Sequence, residues 1–125
     1  MKSPKKGIKW ETLGFGFSDV NCHLRMTWKD GKWSKPKFVK EPWINMHIGA
    51  ACLHYGQECF EGIKAFRQKS GKIAIFRPEE NAKRMFKTAV RCVMPPVPEE
   101  MFLEACEKIV AANEEYVPPL SLIHI

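Results

Sequence analysis

The sequence lacks the features that mark several common classes of protein. None of its five cysteines forms a CxxC pair, and the odd number argues against a disulfide framework. No stretch approaches the roughly 20 apolar residues of a transmembrane helix, and no apolar segment follows the basic N-terminus as in a secretory signal. We therefore predict reduced thiols, a cytoplasmic location and no association with a membrane.

Local motifs for catalysis and metal binding are also missing. The sequence contains no glycine-rich phosphate loop, no paired carboxylates and no nucleophile elbow. His47 and His54 have no partner at the spacing of metal ligands, so no metal site is predicted, and His54 is interpreted as a hydrogen-bonded structural residue.

Charge is abundant but unevenly distributed. The 125 residues carry a formal net charge of +6, which raises the possibility of nucleic-acid binding. Lys2, Lys5, Lys6 and Lys9 crowd the N-terminus, however, and the signs alternate afterwards, a pattern typical of a solvated tail. No nucleic-acid partner is predicted, although a small basic binding module remains an alternative.

Two hairpins are predicted. Asp30-Gly31 separates the alternating runs 23–28 and 33–39, and Pro36 indicates that the second run is an edge strand or ends early. Residues 60–67 and 72–77 form the second pair of strands, with apolar side chains at every other position. Residues 45–53 fit either a short helix or a loop.

Two helices follow the hairpins. Pro78 with Glu79 and Glu80 suits a helix start, and the Pro95-Pro96 pair ends that helix. The second helix begins near Pro98 and ends at the proline pair 118–119. The order of strands and then helices predicts an α+β fold, an antiparallel sheet built from hairpins with two C-terminal helices packed on one face.

The segment 53–67, LHYGQECFEGIKAFR, is the most specific part of the sequence. It resembles the LHY…FEGxKAFR signature of branched-chain amino-acid aminotransferases. Further stretches agree with that family in the same order: LGFG at 13–16, a tryptophan-containing hairpin, IFRP at 75–78, NAKRM at 81–85 and the prolines from 95 onwards. The resemblance runs from about residue 13 to residue 119.

This resemblance implies a pyridoxal 5′-phosphate (PLP) enzyme of fold type IV, here represented by its small N-terminal domain at 13–117. Residues 1–12 are then a flexible N-terminal segment, and 118–125 a linker and a tail. The family exchanges amino groups between leucine, isoleucine or valine and their 2-oxo acids, with glutamate and 2-oxoglutarate as the other pair, and its members are homo-oligomers. Related fold-type IV enzymes, D-amino-acid aminotransferase or aminodeoxychorismate lyase, are the alternatives.

The resemblance also assigns site residues. Arg84 matches the arginine that holds the cofactor phosphate, for which a guanidinium offers a rigid fork of donors. Alternatively, Arg84 is a solvated charge. Tyr55 and Phe60, with Phe15 as a third aromatic, match residues that contact the aliphatic side chain of the substrate, although such aromatics are more often part of a core. Glu61 is interpreted as an interface residue or a plain edge carboxylate.

No catalytic residue is predicted within the 125 residues. Lys64 lies in a strand of the small domain, which is not the position of the family's Schiff-base lysine. The resemblance implies that this lysine lies beyond the last residue, in the family's large domain. The sequence at 120–125 does not match the family pattern and reads as a truncated or foreign end. The 125 residues alone are therefore predicted to be inactive.

Overall fold

The computed structural model describes residues 4–10 and 16–118, and these form short β-ladders and three helices. The strands are β1 (His23–Arg25), β2 (Trp28–Lys29), β3 (Lys32–Trp33), β4 (Lys37–Val39), β5 (Ala65–Arg67) and β6 (Ile73–Ile75). The helices are α1 (Ala51–Tyr55), α2 (Pro78–Arg91) and α3 (Glu99–Ala112), followed by a 3-10 turn at Glu114–Tyr116. The predicted α+β class is confirmed.

The first hairpin turns at Asp30 and Gly31 as predicted. Both residues have positive φ, 51° and 76°, which is what a two-residue type I′ turn requires. Trp28 and Trp33 face each other across β2 and β3, with ring centroids 5.5 Å apart in an edge-to-face arrangement. Farther from the turn, β1 pairs with β4. Between the two ladders the second run holds one extra residue, since Arg25 pairs with Lys37 but Trp28 pairs with Trp33, and there the Ser34 hydroxyl accepts the N–H of Thr27.

The second hairpin is shorter than predicted. Only β5 and β6 pair, with Ala65 opposite Ile75 and Arg67 opposite Ile73. Residues 60–64, predicted as the start of this strand, are not paired. The strands in the described part of the chain form three two-stranded ladders rather than one sheet. The prediction of a single sheet covered by helices is therefore wrong there, because the chain between the two hairpins lies along α2 instead.

Helices α2 and α3 begin as their sequences predict. Pro78 occupies the first turn of α2, and Glu79 and Glu80 lie at its positive end. Pro98 precedes α3, whose first turn holds Glu99 and Glu100. The two helices contact each other.

The C-terminal end of α2 has an unusual residue. Val93 follows the helix with φ at 56°, in the left-handed region that a β-branched side chain rarely adopts. The N–H of Met94 donates to Ala89 O at 2.8 Å, and that of Val93 donates to Val90 O at 3.1 Å. These bonds satisfy the last carbonyls of the helix in the manner of a Schellman motif, which normally has glycine at this position.

The segment before β1 is bonded to the end of α3. The Asn21 amide donates to Ala112 O and to Glu115 Oε1, at 3.0 and 2.9 Å. The Asn113 amide donates to Cys22 O at 2.9 Å. Near the N-terminus, the Lys5 ammonium donates to the Tyr116 hydroxyl. These bonds do not test the predicted domain boundaries, 1–12, 13–117 and 118–125, which stay predictions.

Little of the described chain is enclosed. The buried apolar residues there are small or medium-sized: Ala82, Ala89 and Val117. Many large apolar side chains are exposed, among them Phe17, Trp43, Ile44, Ile48, Leu53, Tyr55, Phe60, Phe76 and Val93. Such extensive apolar exposure is typical of a surface that contacts another part of a protein. Within the described ranges, no helix is both long and apolar enough to cross a membrane.

Candidate functional site

The signature segment lies along α2, and side chains bond the two together at several points. After α1 the chain turns at Gly56, whose φ is 60°. Gln57 Nε2 then donates to Cys92 O at 2.9 Å, at the C-terminal end of α2. Near the other end of the helix, Asn81 Nδ2 donates to Gly62 O at 3.2 Å. Residues 57–62 therefore run antiparallel to α2.

Between these two contacts, Glu61 binds Arg84. Arg84 Nε donates to Glu61 Oε1 at 2.7 Å, and Arg84 Nη2 donates to Glu61 Oε2 at 2.6 Å. This is the bidentate geometry that joins a planar guanidinium to a carboxylate. Asn81 Nδ2 adds a third donor to Glu61 Oε2 at 2.8 Å. The carboxylate of Glu61 is thus held by one cation and one amide.

The two partners differ sharply in exposure. The Glu61 side chain is 6% exposed, whereas that of Arg84 is 64% exposed. The hydrogen bonds from Arg84 lower the pKa of Glu61; burial opposes this effect and the bond from Asn81 reinforces it. Glu61 in turn raises the pKa of Arg84 above its already high usual value. Both groups are therefore charged at neutral pH.

Arg84 keeps hydrogen-bond donors that Glu61 does not use. Glu61 uses one edge of the guanidinium, formed by Nε and Nη2, and leaves the other N–H groups without a partner among the described residues. The phosphate of PLP, the cofactor that the family resemblance implies, fits such a donor set, because phosphate oxygens accept charge-assisted hydrogen bonds from guanidinium. A phosphate needs further donors, which Arg84 does not supply.

Two of the predicted aromatic residues, Tyr55 and Phe60, are almost fully exposed. Tyr55 is 88% exposed at the end of α1, and Phe60 is 90% exposed directly before Glu61. Neither is packed in a core, and described residues do not enclose them in a pocket. Phe15, the third predicted aromatic, lies outside the described residues. The structure thus places Phe60 beside the Glu61–Arg84 pair and leaves Tyr55 five positions earlier along the segment.

Other candidate sites lie apart from these residues. A cavity of about 460 Å³ lies between β6 and α3, lined by Ile73, Ile75, Leu103 and Val110 among others, but by none of the predicted site residues. Among the residues that the structure describes, no three His, Cys, Asp or Glu side chains are arranged to hold a metal ion. His54 Nε2 donates to Ile48 O at 2.6 Å.

Two features of the site were not predicted. Asn81 had no assigned role, and Glu61 was not expected to bind Arg84. Both lie in the stretches that carry the family resemblance, Glu61 in FEG and Asn81 in NAKRM. Only the path of the segment along α2 brings them together.

The chain is similar to proteins named as aminotransferases or transaminases. The chain is 45% identical over 114 residues to the branched-chain-amino-acid aminotransferase of Haemophilus influenzae, covering 91% of this chain and 33% of that protein. It is 41% identical over 114 residues to the protein of that name in Helicobacter pylori, covering 91% of this chain and 34% of the relative. Transaminase htyB of Aspergillus rugulosus is 43% identical over 121 residues, covering 95% of this chain and 32% of its own length.

The chain spans about a third of the length of these relatives. No family model matches it. The similarity to proteins named branched-chain-amino-acid aminotransferase nevertheless covers most of the chain, and it confirms the resemblance predicted from the sequence.

Proposed function

We propose that this chain supplies part of the active site of a branched-chain amino-acid aminotransferase. The observation that carries the proposal is the 45% identity to the Haemophilus influenzae protein over 91% of the chain. The substrates would be leucine, isoleucine and valine with their 2-oxo acids, and glutamate with 2-oxoglutarate. The relatives' names refer to amino-group transfer, which favours this function over a lyase or a basic binding module.

Arg84 is proposed to hold the phosphate of PLP. When bound, that cofactor supplies an electron sink that weakens the bonds at the α-carbon of the amino acid. Arg84 contributes a fixed positive charge and the donors that Glu61 leaves unused. These interactions orient the cofactor, and the chemistry itself needs a lysine that moves the proton. Lys64 is not assigned that role, and the 125 residues alone are proposed to be inactive.

Tyr55 and Phe60, together with Phe15, are proposed to form an apolar wall for the aliphatic side chain of the substrate. A branched aliphatic group binds well only where water is excluded. The exposure of Tyr55 and Phe60 means that another surface must cover them. We propose that this cover comes from the rest of a longer protein, assembled as a homo-oligomer in the cytoplasm. The five unpaired cysteines favour that location.

A chimera tests the proposal. The aligned residues of this chain replace the matching third of the Haemophilus influenzae protein, and leucine-dependent formation of glutamate from 2-oxoglutarate is measured. We expect transamination of all three branched-chain amino acids and weak activity with D-amino acids. A chimera that folds and binds PLP but does not transaminate these substrates would contradict the proposal.

Substitutions in the chimera test the roles of individual residues. Arg84→Ala should weaken PLP binding about 10- to 100-fold, because hydrogen bonds to charged groups contribute about 1.5–3 kcal/mol. Arg91→Ala, which removes the same charge from an exposed position in the last turn of α2, is the matched control and should change the affinity little. Lys64→Gln should retain activity. Loss of activity in Lys64→Gln, with PLP binding intact, would show that Lys64 was wrongly rejected.

A further inference from the structure

We propose that Glu61 is a positioning residue, which with Asn81 orders the Arg84 guanidinium and directs its unused edge toward a phosphate. This inference rests on the proposed function of Arg84 as the phosphate anchor. It assigns to Glu61 a role that the signature alone does not suggest, since a carboxylate so close to an anion site would ordinarily repel the ligand.

The geometry supports ordering. An arginine side chain that is 64% exposed would otherwise sample many rotamers, and a ligand that immobilises such a side chain loses free energy in doing so. Two hydrogen bonds to Glu61 already fix the plane of the guanidinium. Glu61 is itself fixed, because its side chain is 6% exposed and its Oε2 also accepts a bond from Asn81. The order is therefore present before the ligand arrives.

Two effects of Glu61 oppose each other, and salt separates them. The negative charge of Glu61 disfavours an incoming anion, but Arg84 is exposed to water, and this repulsion weakens as ionic strength rises. Salt weakens the ordering contact much less, because Arg84 and Glu61 touch directly at 2.6–2.7 Å and the Glu61 side chain is only 6% exposed. At high ionic strength the ordering effect should therefore dominate, and removing Glu61 should weaken phosphate binding even though it removes a negative charge.

The test uses the chimera described above in its PLP-free form, which would supply the further phosphate donors that Arg84 lacks, with inorganic phosphate as the probe. The Arg84 Nε–H resonance is followed by NMR without phosphate and during a phosphate titration at low and at high salt. Glu61→Gln should speed solvent exchange of that proton and weaken phosphate binding about 3- to 10-fold at high salt, the effect expected from freeing one long side chain. Asn81→Ala, which changes no charge, should act in the same direction with a smaller effect.

Glu80→Gln is the matched control. Glu80 lies on the same helix and pairs with Lys83 rather than with Arg84, so its substitution changes the net charge equally. Equal phosphate affinity in Glu61→Gln and Glu80→Gln at high salt, or tighter binding in Glu61→Gln, would overturn the positioning role. An unchanged Arg84 Nε–H exchange rate in a folded Glu61→Gln variant would do the same. A different result would show that Arg84 does not anchor phosphate: Arg84→Ala would leave phosphate binding unaltered, although Glu61→Gln still speeded the exchange of the Arg84 Nε–H. In that case the positioning proposal would be rejected together with the proposed anchor.

Discussion

Substituting Val93 by glycine should stabilise the chain. Val93 has φ at 56°, and this left-handed conformation costs a residue with a Cβ atom about 1–2 kcal/mol. Glycine removes that cost but adds about 0.5–1 kcal/mol of backbone entropy in the unfolded state. Little packing is lost, because the Val93 side chain is 84% exposed. We expect a net gain of about 0.5–1 kcal/mol, or an increase of about 2–5 °C in Tm.

The measurement is urea unfolding followed by the circular dichroism of the helices. Val90→Gly is the matched control, because it makes the same substitution three residues earlier, inside the last turn of α2. There the backbone is helical, and glycine should lower the free energy of unfolding by about 0.3–0.5 kcal/mol through helix propensity, with a further loss of packing because Val90 is 55% exposed. The two substitutions should therefore have opposite signs. A Val93→Gly variant that is no more stable than the unsubstituted chain would refute the assignment of strain to this residue.

Three further predictions concern side chains that join distant segments. The folded-state pKa of Glu61 is lowered, chiefly by Arg84. The stability that Glu61 contributes is therefore complete above its unfolded-state pKa of about 4.3, and it is lost as the pH falls through the lower folded-state pKa. Urea unfolding between pH 6 and about pH 2.5 should show this loss, and Glu61→Gln should reduce it; an identical pH dependence in both proteins would count against the pairing. Arg67→Met should cost about 2 kcal/mol, because Arg67 is 9% exposed and its Nη2 donates to the carbonyl of Glu114 at 2.7 Å; a loss below about 0.5 kcal/mol in thermal unfolding would contradict this. Trp33→Phe should cost about 1 kcal/mol through loss of the indole bond to the carbonyl of Pro96 at 3.0 Å, a difference that urea unfolding can resolve, and unchanged stability would mean that this bond contributes nothing.

The sequence was sufficient to predict the parts of the fold that are determined by residues adjacent along the chain. Asp30-Gly31 sets the hairpin turn through its own backbone conformation, and Pro78 sets the start of α2 in the same local way. The second hairpin was predicted too long because residues 60–64 alternate as a strand would. Instead, the Glu61 side chain bonds to Asn81 and Arg84 of α2, which lie 20 and 23 positions later, and such a contact leaves no local pattern.

The candidate site was predictable only in its residue types. The family resemblance identified Arg84, Tyr55 and Phe60, but it did not reveal that Glu61 and Arg84, separated by 23 positions, form a bidentate pair. The exposure of Tyr55 and Phe60 was also outside the reach of the sequence, because their composition and spacing fit a buried strand equally well. Partners that are distant along the chain determine both features.

The bonds of Gln57 and Glu61 to α2 lie on either side of Phe60. Phe60 is therefore carried by a stretch of backbone anchored at both ends to the helix that bears Arg84. We expect any displacement of that helix to move the Phe60 ring and the Arg84 guanidinium together, so that the distance between these two side chains changes little during such a motion. Moving the Phe60 ring relative to the Arg84 guanidinium would require a substitution at Gln57 or Glu61 that breaks one of these bonds. Neither Gln57 nor Glu61 needs to contact a substrate to have this effect.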